Sequence, residues 1–135
     1  MQEDAAPRLL SVPKIGNPGL GYISIAESER DVPFEIKRVF WTYYTPQNVQ
    51  RGGHAHRQLE QLIFAVSGRI EVQVIDGRRT RHYFQLDDPS VGLYMPPLCW
   101  ADLRFSHNAV LMCLASMEYV ESEYIRTYEE FLLCL

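Results

Sequence analysis

Apolar and polar side chains alternate along most of this chain with a period of two, the pattern of strands that bury one face. The clearest case is Ile70, Val72 and Val74 set against Glu71 and Gln73. Asp76-Gly77 follows as a hairpin signal, so Arg79 to Leu86 is expected to pair back on that strand. Ile36 to Tyr44 is rich in β-branched and aromatic residues and places Val39, Trp41 and Tyr43 on one face. His54 to Val66 reads as one or two strands, the second apolar on both faces. Shorter strand candidates are Tyr22 to Ala26, after the turn Gly16-Asn17-Pro18-Gly19, then Val91 to Met95 and Ala109 to Ser116. Asp31-Val32-Pro33, Pro96-Pro97 and the segment around His107 break the pattern.

The ends differ. Residues 1–20 read as a lead-in. After Ser116 the period lengthens: Tyr124, Tyr128, Phe131 and Leu135 recur at helical spacing among acidic residues, predicting a short C-terminal helix over 120–135 that docks on the core. Short strands, frequent turns and one closing helix predict a single all-β domain over residues 1–135, a sandwich or small barrel. Its 135 residues suffice for a core without staples.

Composition narrows the function. A net charge of −4 leaves no basic footprint for nucleic acid. No apolar run reaches bilayer length, and Met1 to Leu10 lacks a signal-peptide pattern, so a cytoplasmic protein is expected. Cys99, Cys113 and Cys134 are odd in number and lack metal-ligand spacing; they read as reduced thiols.

The candidate chemistry lies in Arg51-Gly52-Gly53-His54-Ala55-His56. In an extended segment His54 and His56 project from the same face, and the glycines permit a turn or close approach beside them. Paired imidazoles suit proton transfer or metal binding. With Glu60 they resemble half of a cupin metal site. The other half would supply a histidine after Pro96-Pro97, where Ala101 stands instead, and His107 lies too late. Two histidines and one carboxylate could still form a facial triad, but without the distant ligand no metal or other cofactor is expected. Proton transfer is preferred over a purely structural pair.

Several runs together resemble the sugar-nucleotide 3,4-ketoisomerase family, the WxcM-like cupins. They are Pro33 to Val39, Arg51 to His56, Val91-Gly92-Leu93-Tyr94 with Pro96-Pro97 and Trp100, Leu114-Ala115-Ser116, and Tyr124-Ile125-Arg126 with Tyr128 and Phe131. The resemblance implies a cupin jelly roll, or double-stranded β-helix, usually in a homodimer. It also implies metal-independent conversion of dTDP-4-keto-6-deoxyglucose to its 3-keto isomer. Two positions depart from many members: Ala101, where some carry histidine, and Leu20 in the turn Gly19-Leu20-Gly21.

For that reaction His56 is assigned as the carbon base and His54 as its partner acid or oxygen-proton shuttle, with the reverse order open. Tyr43 would donate to the enediolate oxygen, or else pack with Val39 and Trp41. Arg51 would hold diphosphate or oxyanion through its planar fork. Tyr94 and Trp100 would wall the sugar or thymine, or else serve as core aromatics. Arg38, in the first matching run, and Gln61 join the substrate-binding candidates; Gln61 and Glu60 face opposite ways in a regular strand, so only one reaches the pocket. His82 shares its face with Phe84 and Leu86 and reads as barrel-facing or edge packing. The competing readings are a non-catalytic sugar-nucleotide-binding cupin, a metal-dependent cupin enzyme, and a 3,5-epimerase acting on the same keto sugar.

Overall fold

Strand alternation sorts the chain into two five-stranded antiparallel sheets in the computed structural model, which describes residues 6–135. The first sheet runs β1 (Arg8–Ser11), β9 (Val91–Met95), β6 (Gln61–Ser67), β11 (Val110–Ala115), β4 (Arg38–Thr42). The second runs β12 (Tyr124–Ile125), β5 (Gln50–His56), β10 (Trp100–Phe105), β7 (Ile70–Ile75), β8 (Arg81–Leu86). A separate hairpin, β2 (Lys14–Asn17) with β3 (Gly21–Ser24), leaves its residues exposed. One short helix, α1 (Tyr128–Leu133), follows. This is the all-β jelly roll that the family resemblance implies, and one of the sandwich or barrel forms that the strand pattern allows.

The inner faces meet in a core that includes Ile63, Ala65, Val72, Val74, Leu93, Phe105, Leu111 and Cys113. The apolar run in β6 has a direct cause, since both of its faces are covered. Ile63 and Ala65 look toward the second sheet, while Leu62 and Phe64 pack outward beneath Val12, Val32 and Phe34.

The termini differ from expectation. Within the expected lead-in, Arg8–Ser11 pairs with β9 and Lys14–Asn17 forms half of a hairpin; residues 1–5 lie outside the described residues. The open edge of β9 supplies backbone partners that sequence pattern alone does not reveal. The C-terminal helix is shorter than 120–135. Glu121–Glu123 is a 3-10 turn, Tyr124–Ile125 pairs with β5, and the helix starts only after Thr127, whose hydroxyl accepts from the Glu130 amide at 3.2 Å. Phe131 then docks fully buried beside Ala55 and Ile125, as core docking requires.

The turn after β7 spans Asp76 to Thr80, longer than a two-residue hairpin, so β8 begins at Arg81 rather than Arg79. The Asp76 carboxylate closes it by accepting from the Arg78 and Thr80 amides at 2.8 and 3.0 Å. His82, on the same face as Phe84, stacks on that ring and meets Asp76 at 2.7 Å.

Candidate active site

The histidine pair is aimed by an irregularity in β5. Ala101 of β10 pairs with His54, while the next β10 residue, Asp102, pairs with Gly52, so Gly53 is one extra residue in the ladder. Gly52 and Gly53 take φ of 91° and 72°, the left-handed region that favours glycine. A Cβ on Gly52 would lie 2.6 Å from the Ala101 carbonyl oxygen. The bulge re-phases the strand. Arg51, opposite Leu103, thereby reaches the same face as His54, opposite Ala101; strict alternation would have sent them to opposite faces.

That face opens on a cavity of about 240 Å³ between the two sheets. His54, His56, Arg51, Gln61, Thr42 and Tyr124 supply its polar groups, over an apolar floor that includes Ile63, Leu111 and Phe105. The two imidazole centroids are 5.0 Å apart and nearly perpendicular, at 80°. Both ring nitrogens of His56 are buried and have no hydrogen-bond partner among the described residues. Burial holds His56 down to about 3, with the charges of His54, Arg38 and Arg126 acting in the same direction. Burial also lowers His54; the Gly52 backbone and Asp102 oppose it, and Arg126 reinforces it. Both rings are therefore neutral at pH 7. The thiols of Cys99 and Cys113, also on the wall, are pushed up to about 12 by burial and stay protonated.

The structure gathers some of the sequence candidates and separates others. His54, His56, Arg51 and Gln61 line the cavity. Of the pair Glu60 and Gln61, Gln61 is the one that enters. Arg38 shares the inner face of β4 with Phe40 and Thr42, its guanidinium 5.3 Å from the Phe40 ring centroid and its Nε buried without a hydrogen-bond partner among the described residues.

Three aromatic candidates fall elsewhere, and the period of two explains each. Tyr43 lies with Val39 and Trp41 on the outer side of the first sheet, 55% exposed. Tyr94, opposite Leu62, faces the outer cluster, and its hydroxyl donates to Glu60 at 2.6 Å. Trp100, opposite Ile75, points out of the second sheet against Tyr128 and Phe131.

Sequence reading missed Tyr124. It counted this residue in the helical stripe, but strand pairing sets it opposite His56 and inside the cavity. The available signal was the spacing of Thr127 and Glu130, which is that of a capping box: a helix capped at Thr127 starts too late to include Tyr124.

The residues present do not fit a cupin metal set. Glu60 is engaged by Tyr94 away from the histidines, and Ala101 occupies the register position across from His54. Among the described residues, no three His, Cys, Asp or Glu side chains converge as metal ligands.

Known proteins share this fold. The family model FdtA, described as WxcM-like, C-terminal, matches residues 5–135. A TDP-4-oxo-6-deoxy-alpha-D-glucose-3,4-oxoisomerase from Aneurinibacillus thermoaerophilus is 39% identical over 112 residues, 82% of this chain and 80% of that protein. The sugar 3,4-ketoisomerase QdtA from Thermoanaerobacterium thermosaccharolyticum, solved with TDP, superimposes with a TM-score of 0.88 at 32% identity, covering 93% of this chain and 91% of its own. The TDP-quinovose 3,4-ketoisomerase WlaRB from Campylobacter jejuni gives 0.87 at 37% identity, with 94% and 97% covered.

Proposed function

The chain belongs to the FdtA, WxcM-like family, and from that premise we propose that it is a 3,4-ketoisomerase that moves the keto group of dTDP-4-keto-6-deoxyglucose from C4 to C3. The observation that carries the reading is His56: an imidazole with both nitrogens buried and without a hydrogen-bond partner among the described residues, beside His54, in a cavity between the sheets.

The reaction removes the C3 proton and returns a proton to C4. Loss of the C3 proton sends its bonding electrons into a C3–C4 double bond and places negative charge on O4, giving an enediolate. Protonation of O4, loss of the O3 proton and protonation at C4 complete the shift, with no net change in atoms or electrons. The carbon acid is weak, so a positioned base and a donor to the oxyanion lower the barrier. We assign proton removal at carbon to His56, the deeper ring, and the oxygen proton to His54. A neutral imidazole accepts that proton only if the cation it becomes is stabilised. Burial is the larger obstacle to that cation, and a substrate diphosphate bound near Arg38 offsets the smaller contribution of the positive charges. Arg51 supplies a planar fork for phosphate or oxyanion, and Gln61 an amide donor at the cavity wall.

The chemistry runs without a metal in this reading, because the carboxylate and the distant histidine that a cupin metal set requires are missing from the cavity. Among the described residues no helix is long and apolar enough to cross a membrane. A cytoplasmic homodimer is the working assembly, with outward-facing Val39, Trp41 and Tyr43 as apolar surface for the second copy. The non-catalytic binder and the 3,5-epimerase are not favoured, since the relatives described above are 3,4-isomerases.

Proton NMR of dTDP-4-keto-6-deoxyglucose incubated with the protein in heavy water tests the assignment. A 3-keto product carrying deuterium at C4 is expected. Substrate that binds yet stays unchanged and unlabelled would make the protein a binder, and labels at C3 and C5 with the keto group unmoved would make it an epimerase.

A further inference from the structure

A base in an enzyme is ordinarily held by a hydrogen bond from its second nitrogen to a third group, which fixes both ring orientation and tautomer. Among the described residues His56 has no such partner on either nitrogen. Its ring is bounded by other rings instead. The Tyr124 centroid lies 4.5 Å away at 68°, and His54 lies 5.0 Å away at 80°. Tyr124 also meets His54, at 5.4 Å, so the three rings form one mutually packed set.

We propose that Tyr124 is a positioning residue, a ring clamp that orients His56 in place of the hydrogen-bonded partner this imidazole lacks. The proposal rests on the reading of the pair as the proton-transfer centre. Edge-to-face packing is directional, so it restricts a ring without occupying its nitrogens. That suits a carbon base, because the proton-accepting nitrogen of His56 stays uncommitted to any group among the described residues.

Tyr124 is itself held on two sides. Its backbone pairs with His56 in the β5–β12 ladder. The Arg126 guanidinium lies 4.4 Å from its ring centroid, and Glu121 holds that guanidinium through contacts of 2.9 and 3.1 Å. The segment is tied to the loop after β5 as well, where the Glu123 carboxylate accepts from the Gln58 and Leu59 amides at 2.8 and 3.1 Å. The strand bearing the base and the segment bearing the clamp are thus joined at several points.

The test compares Tyr124→Phe with Tyr124→Leu in the full-length protein, with folding checked by circular dichroism. Phenylalanine keeps the ring and should hold kcat within about threefold, since the orienting contact survives. Leucine removes it and should lower kcat by about 10- to 100-fold with KM little changed, the cost of a misplaced catalytic group. A leucine variant with wild-type kcat overturns the clamp. So does a phenylalanine variant as impaired as the leucine one, which would make the hydroxyl a chemical participant. The His56 ring signals in the NMR spectrum give a readout independent of turnover. They should shift and broaden in Tyr124→Leu and not in Tyr124→Phe; signals unchanged in both would overturn the proposal. If the leucine variant does not fold, Arg126→Gln takes its place in both assays, and no change in kcat or ring signals would overturn the proposal. A wild-type protein inactive on the sugar nucleotide would remove the functional reading alone, and the ring signals would still decide the clamp.

Discussion

Ala101 faces His54 directly across the β5–β10 ladder, at the bulge that turns the histidines into the cavity. A side chain grown from Ala101 enters space that the reading above gives to the sugar. Ala101→Leu is therefore expected to lower kcat/KM at least about tenfold, the weight of one misfitted group in a snug site. Thermal stability should be retained, since added methylenes fill an existing cavity. Steady-state kinetics and a melting curve on the same variant check both halves.

His56→Asn and His54→Asn should each reduce turnover by about 10²- to 10⁴-fold, the usual contribution of a positioned acid or base. Deuterium incorporation separates their roles. Loss of exchange at carbon in His56→Asn, with residual exchange in His54→Asn, is the expected outcome; the opposite pattern reverses the assignment.

Stability should depend on pH through the same pair. The unfolded chain protonates His56 near its ordinary value of 6.5, whereas the folded protein resists until about 3. Below 6.5 the unfolded state therefore binds more protons, and stability falls as pH drops through that window. His54 adds a contribution of the same sign. The full stability is present above pH 6.5. In His56→Gln the decline between pH 6.5 and 3 should be shallower, which denaturant titrations at several pH values would measure.

Gly52→Ala should both destabilise and inactivate. Its φ of 91° is strained for alanine, and the new Cβ would meet the Ala101 carbonyl oxygen at 2.6 Å. A cost of about 1–3 kcal/mol is expected from the backbone conformation. Flattening the bulge would also displace Arg51 relative to His54, so kcat should fall further than a matched loss of stability explains. Melting temperature and kcat report the two effects separately.

Trp41 is 61% exposed on the outer face of β4. If that face joins two copies, Trp41→Glu places a charge in the interface and should yield a monomer by light scattering, while Gly52, His54 and His56 stay undisturbed on β5. A dimer of unchanged mass would move the interface elsewhere.

Much of this protein was legible from period and punctuation. The alternation in Ile70 to Ile75, the doubly apolar β6 and the His-x-His spacing each specify local geometry, because side-chain direction along a strand follows from residue number alone. The same rule, applied without knowing which face is inner, leaves open whether Tyr43, Tyr94 and Trp100 line the site or pack elsewhere. Each sits in or beside a genuine strand, yet each points outward from its sheet. Which face is inner is decided by what packs on the other side: the outer cluster over Tyr94, and α1 over Trp100.

The amino-acid sequence by itself determined the all-β class, the glycine-flanked histidine pair and the resemblance to the 3,4-ketoisomerases, because these depend on neighbours close along the chain. Only the tertiary structure decided that Gly53 is an extra residue bringing Arg51 and His54 to one face, and that Tyr124 pairs with β5 and packs against His56. Both outcomes depend on β-ladder register between segments far apart in sequence. Register is fixed by backbone hydrogen bonds and buried faces that form only when the sheets close.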